Sequence, residues 1–250
     1  MYSTIINKLK RIEETENVTI IYAVESGSRA WGFESKDSDY DVRFIYVRKI
    51  EDYLSLYEKR DVIEFELNNI YDINGWDIQK VLKLAQKSNP TLYEWIHSPI
   101  IYKSSTLWNN LLPLLQDCYD LSKLIQHYYH MTHQHYCLQQ KTVKNYFYSL
   151  RTLLCCLWII HENTSPPISF IELMKSQLDS TYVQQIETLI SIKKSSKESY
   201  ISYDMFQLDK YIEEQLQYIH LHLYDLKQNN HFTHNDFNLA FLHILKETSR

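Results

Sequence analysis

Residues 18–47 read VTIIYAVESGSRAWGFESKDSDYDVRFIYV. The first seven are apolar and rich in β-branched side chains, the composition of a buried strand. A turn and brief helix follow in ESGSRAWGF, and residues 39–47 make a second strand. Gly27-Ser28 falls where the first strand meets the short helix. A turn of that kind offers backbone amides and a hydroxyl to an anion, the helix N-terminus adds partial positive charge, and glycine permits close approach. Side chains alternate along a strand, so Asp39, Asp41 and Arg43 share one side while Tyr40, Val42 and Phe44 turn to the core. Two carboxylates beside a phosphate-binding turn suit hard divalent cations, Mg²⁺ or Mn²⁺. Two such ions about 3.5–4 Å apart activate an attacking oxygen and stabilise a leaving one. An isolated Asp-x-Asp is usually a solvated turn. Its position after a strand-Gly-Ser junction, opening another strand, is what gives it meaning.

Glycine usage supports the same site. Average usage would give roughly 17 glycines in a chain this long, yet there are three, Gly27, Gly32 and Gly75. In a chain that avoids glycine, the survivors mark places that exclude a Cβ.

Outward from this stretch, residues 4–13 show the spacing of a short amphipathic helix, with Ile5, Ile6, Leu9 and Ile12 on one stripe. Residues 61–67 and 70–73 read as further strands. A helix opens at Asn74 or Gly75 with the stripe Ile78, Val81, Leu82 and Ala85, and another starts at Asn89-Pro90. Beyond Tyr102 the pattern is helical, over about 104–117, 119–139, 142–162, 169–176, 180–193 and 204–226, with breaks at 163–167 and 193–199. Ser169 and Glu172 have capping-box spacing. The sequence thus predicts an α/β domain over residues 1–102 and an all-helical domain over 103–250.

Net charge is −5, which argues against a broad nucleic-acid footprint but not against a local basic cleft or a short RNA end. The 21 tyrosines accompany abundant Lys, Ile and Asn, so compositional bias accounts for them better than base stacking. The longest apolar run, residues 153–160, is too short to cross a bilayer. No secretory signal is evident at the start. Cys118, Cys137, Cys155 and Cys156 lack zinc or disulfide spacing. A cytoplasmic chain without membrane attachment is expected.

A hydrophobic residue, Gly-Ser, about ten residues and then Asp-x-Asp between hydrophobics resembles the signature of the DNA polymerase beta nucleotidyltransferase superfamily. The text of residues 27–47, GSRAWGFESKDSDYDVRFIYV, is similar to the RNA repair pathway DNA polymerase beta family. GWDIQKVLKLAQKSNPTLYEWIHSPIIY (75–102) and VKNYFYSLRTLL (143–154) extend the likeness over most of residues 20–160. The resemblance implies an α+β catalytic domain with a mixed sheet. It also implies transfer of a nucleoside monophosphate from a nucleoside triphosphate, ATP among them, to a hydroxyl on an RNA end, a small molecule or a protein. The superfamily adds a third carboxylate on a neighbouring strand, as metal ligand and proton acceptor. Glu64, Glu66, Asp72 and Asp77 are the candidates. Asp72, read as ending an apolar strand before a Gly75 turn, is favoured, and the family pattern points to it; Asp77 is read as serving a helix N-terminus.

Nucleotide contacts are expected from Gly27, Ser28 and Arg43, and from Lys144, Tyr148 and Arg151, which share a helical face. There an Arg and a Lys beside a Tyr could grip a triphosphate and stack a base, although a partly exposed face with Tyr148 in the core fits the spacing as well. Lys80 is equally a phosphate ligand or a solvated side chain. His127, His130, His133 and His135 lack the acidic partner of a zinc-protease helix, so a surface helix is the better reading, as for His220 and His222. The alternative to an enzyme is a nucleotidyltransferase fold acting as an antitoxin or regulatory binding module.

Overall fold

The structure, a computed structural model, describes residues 1–35, 38–137, 142–195, 205–226 and 231–248. Residues 138–139, 196–199 and 204, which the sequence reading placed in helices and a polar break, lie outside the described residues.

The first strand, β1 (Thr19–Glu25), is buried at every position but its first. It pairs antiparallel with β2 (Tyr40–Val47) after the five-residue helix α2 (Gly27–Trp31). A one-turn helix α3 (Ile50–Tyr53) leads to the hairpin β3 (Val62–Leu67) and β4 (Tyr71–Asp77). β4 returns parallel to β2, and β5 (Ile101–Ser104) closes the other side antiparallel to β1. The result is a mixed sheet of five strands in the order β3-β4-β2-β1-β5, the α/β class the sequence predicts.

Val42, Phe44 and Tyr46 of β2 pack with Ile63 and Ile73 against Ile5, Leu9 and Ile12 of α1 (Tyr2–Glu16). α1 has no side-chain N-cap and no charges placed to suit its dipole at either end. Its three buried side chains, each worth about 1.5–3 kcal/mol, therefore hold it. The sheet's other face carries α4 (Ile78–Gln86), α5 (Pro90–Ile96) and α6 (Thr106–Asp117). There Tyr22 stacks on Trp108 with ring centroids 4.2 Å apart, and Trp76 on Trp95 at 3.8 Å. Asn89 caps α5 through Leu92 N–H, as its sequence predicts.

One expectation is corrected here. The helix expected from Asn74 or Gly75 begins only at Ile78, and Gly75 lies in mid-strand rather than in a turn. A Cβ at Gly75 would stand 2.2 Å from Cε2 of Phe44, so the glycine admits that ring. The signal behind Gly75 was a packing demand, read as a turn demand.

By their contacts the residues form two compact units, Met1–Ala30 with Ser38–Tyr119 and Asn230–Arg250, and Trp31–Asp37 with Asp120–Asn229. The single cut at residue 102 differs from this division. α6 stays with the sheet, and α12 (His234–Thr248) returns to pack on α4 and α6, with Phe241 edge-on to Tyr53 at 5.2 Å. The second unit holds α7 (Leu121–Tyr136), α8 (Val143–Glu162), α9 (Phe170–Gln177), α10 (Ser180–Ser195) and α11 (Phe206–His222). α8 opens with a full capping box of Thr142 and Asn145. In α9, Ser169 accepts from Glu172 N–H. No helix among the described residues is long and apolar enough to cross a membrane.

Candidate active site

Asp41 and Asp72 are the second residues of β2 and β4 and face each other in the parallel register. Registered partners in a parallel pair project to the same side, so both carboxylates stand on one face at the same end of the sheet. Asp72 therefore sits at the rim beside Asp41 because β4 begins there, not because an apolar strand ends there. Arg43, two residues along β2, joins them. Its Nη2 donates to Asp41 Oδ1 at 3.0 Å and to Asp72 Oδ2 at 2.7 Å, and its Nη1 to the Asp72 carbonyl at 2.7 Å. The three side chains are 14–27% exposed, open enough to be reached and closed enough to interact strongly.

The Gly-Ser turn is built against this pair. Gly27 has φ +62°, and a Cβ there would lie 2.0 Å from Asp41 Oδ2. The glycine admits the chain's own carboxylate at the turn. Ser26 N–H donates to the Asp41 carbonyl at 2.8 Å, and the Ser28 and Ser38 hydroxyls are 3.3 Å apart. Arg29 ties the returning loop down, donating to the carbonyls of Ser38 and Asp39 at 2.6 and 3.0 Å with its guanidinium 4.0 Å over the Tyr40 ring. Asp39 directly precedes β2. Among the described residues no three His, Cys, Asp or Glu side chains are gathered as a metal-binding group. The structure thus brings two of the three expected acids together and leaves Asp39 beside them in sequence. Asp41 and Asp72 suit Mg²⁺ or Mn²⁺, since both offer hard oxygen donors around a point where the Arg43 cation is already held.

Two participants escaped the sequence reading. Arg29 is one; the other is Glu25, fully buried at the end of β1. Glu25 accepts from Asp41 N–H at 2.9 Å and from the Tyr102 hydroxyl. Burial raises its carboxyl to about 7, against the opposing pull of those hydrogen bonds. A glutamate beside a turn reads as solvated. Only the pairing of β1 between two strands shows that it is enclosed.

The remaining candidates separate. Asp77 ends β4, at the strand's opposite end from Asp72, and its carboxylate caps α4 by accepting from Gln79 N–H. It also accepts from the Tyr53 hydroxyl at 2.9 Å. It is buried, and desolvation raises its pKa above the ordinary value. Glu66 pairs with Lys8, and Glu64 with Arg60. Lys80 pairs with Asp61 at 3.1 Å.

Within the helical unit, Arg151 is 2% exposed, with its guanidinium 4.4 Å over the Trp31 ring and Nη2 3.5 Å from the Ile168 carbonyl. Tyr148 meets the same Trp31 edge-on at 5.1 Å. The helix thus gathers Tyr148 and Arg151 around Trp31, while Lys144 is exposed. These are packing contacts, and a phosphate role for Arg151 draws no support from them. Tyr129 lies between two histidines, its hydroxyl 2.9 Å from His133 Nε2 and 3.3 Å from His220 Nδ1.

The family model of the RNA repair pathway DNA polymerase beta family matches residues 1–242. A protein of Bacillus subtilis (strain 168) named "Uncharacterized protein YcgL" is 38% identical over 253 residues, covering 99% of this chain and 97% of its own. The match takes in both units, so the likeness is to a whole chain and not to the Gly-Ser and Asp-x-Asp segment alone. The chain belongs to the RNA repair pathway DNA polymerase beta family.

Proposed function

We propose that the protein transfers a nucleoside monophosphate from a nucleoside triphosphate to an acceptor hydroxyl, with Mg²⁺ or Mn²⁺, and that a short RNA end is the first acceptor to try. Family membership points to nucleotidyl transfer in RNA repair. The observation that carries the finer reading is the register pairing of Asp41 with Asp72 against the Gly27 turn. In this reading Asp41 and Asp72 hold the metal, with Asp39 joining from two residues upstream. The bound ion would supply charge neutralisation and a more acidic acceptor hydroxyl. Gly27 and Ser28 present the turn to the triphosphate. Asp72 accepts the acceptor's proton, because it is the more exposed of the paired carboxylates. Positioning does most of the remaining work in such chemistry.

The test is incubation with each radiolabelled nucleoside triphosphate, Mg²⁺ or Mn²⁺, and RNA or cell extract, followed by identification of the labelled species. Label transfer that is lost in Asp41→Asn supports the reading; no transfer with any nucleotide overturns it. A regulatory binding module of the same fold is favoured by one observation, the ion pairing of both acids to Arg43. It would show nucleotide binding without label transfer.

A further inference from the structure

Arg43 stands between the two carboxylates that the proposed function assigns to a metal ion. One nitrogen, Nη2, is shared between Asp41 Oδ1 and Asp72 Oδ2, and Nη1 is anchored to the carbonyls of Asp72 and Val42 at 2.7 and 3.2 Å. The planar guanidinium is thus fixed by four hydrogen bonds at the mouth of the acid pair. A divalent ion held by Asp41 and Asp72 would compete with the guanidinium for carboxylate lone pairs.

We infer that Arg43 is a built-in counter-ion that competes with the divalent cation for Asp41 and Asp72, so that metal entry requires its displacement and its charge sets the metal affinity of the site. The inference rests on the proposed metal role of these acids and adds to it the element that regulates occupancy. Without a cation, two carboxylates on adjacent strands repel each other. Arg43 relieves that repulsion and keeps both groups aimed at one point. The cost is a weaker grip on the ion, because each new metal-carboxylate contact must replace a charge-assisted hydrogen bond. Once released, the guanidinium remains on the strand face beside the Gly27 turn, and phosphate oxygens are the chemistry it then suits.

The competition has a sign that a merely supporting role does not share. Mn²⁺ binding is measured by the spin-resonance signal of the free ion for the wild type, Arg43→Gln, Arg43→Lys and Asp41→Asn. Removing the charge in Arg43→Gln should tighten Mn²⁺ binding by at least about tenfold, while Arg43→Lys stays nearer the wild type. If Arg43 only holds the acids in place, its loss weakens Mn²⁺ binding, and equal or weaker binding in Arg43→Gln overturns the inference. A second measurement needs no altered affinity and stands if Arg43→Gln fails to fold. The Arg43 Nε–H resonance, assigned by its disappearance in Arg43→Lys, should move as Mg²⁺ saturates the wild-type protein. A resonance unmoved at saturation overturns the inference while leaving the metal site intact. Failure of the wild type to bind either ion overturns the active-site reading as well.

Discussion

Asp41 and Asp72 are partners across the parallel pair β2–β4, and Nη2 of Arg43 lies 3.0 Å from one carboxylate and 2.7 Å from the other. Thirty-one positions along the chain separate acids that the sheet register makes neighbours. The consequences can be measured one side chain at a time.

Replacing Asp41 or Asp72 by Asn keeps volume and removes the charge that would hold the metal. Label transfer should fall by at least about 100-fold in either variant, with melting temperature close to the wild type. Full turnover in Asp72→Asn would remove that residue from the chemistry.

Gly27→Ala places a methyl group 2.0 Å from Asp41 Oδ2 on a backbone at φ +62°. The backbone alone costs about 1–2 kcal/mol, and Asp41 must also move. Gly32→Ala is the control, because φ is +85° there and nothing lies within 4 Å of its Cβ. Both variants should melt earlier, but only Gly27→Ala should lose Mn²⁺ affinity. Equal affinity in the two would break the link between the turn and the acid pair.

Asp77 should behave as a structural acid. Asp77→Ala removes the cap on Gln79 N–H and the acceptor for Tyr53, costing about 1–2 kcal/mol. Asp77→Asn keeps a capping oxygen and should cost less. The pH dependence follows from the raised pKa, whose first cause is desolvation. The folded protein holds this proton more tightly than the unfolded chain. The associated stability is therefore fully present below the unfolded value near 3.8 and is lost as pH rises through the folded one. Melting curves between pH 3 and 6 should show that Asp77→Asn lacks this decline relative to the wild type. Parallel curves for the two proteins would contradict the desolvation account.

Arg151→Met fills similar volume without the charge over Trp31 or the hydrogen bond to Ile168. It should lower stability by roughly 2–3 kcal/mol and leave the KM for nucleoside triphosphate near the wild-type value. A raised KM with an unchanged melting temperature would instead restore Arg151 as a phosphate ligand.

Residues 18–47 were legible because each local rule pointed one way. A β-branched run, a glycine where glycine is scarce and an alternating acid-hydrophobic strand fixed the junction, the face of Asp41 and Arg43, and the burial of Val42 and Phe44. Caps at Asn89 and Ser169 were legible for the same reason, since a cap acts over three residues. β5 and α12 were not legible. A four-residue edge strand and a returning helix owe their places to partners far away in sequence.

The sequence by itself determined the strand-turn-strand unit, the helical second half and the chemical kinds of group at the turn, because hydrophobic period, glycine and carboxylate are properties of neighbouring residues. Only the tertiary structure decided which acid pairs with Asp41, that Glu25 is enclosed beneath it, that Gly75 serves the Phe44 ring, and that Arg43 is a counter-ion. Each of these depends on the register between strands joined by long connections. A shift of one residue would have turned Asp72 to the opposite face and left every local rule satisfied.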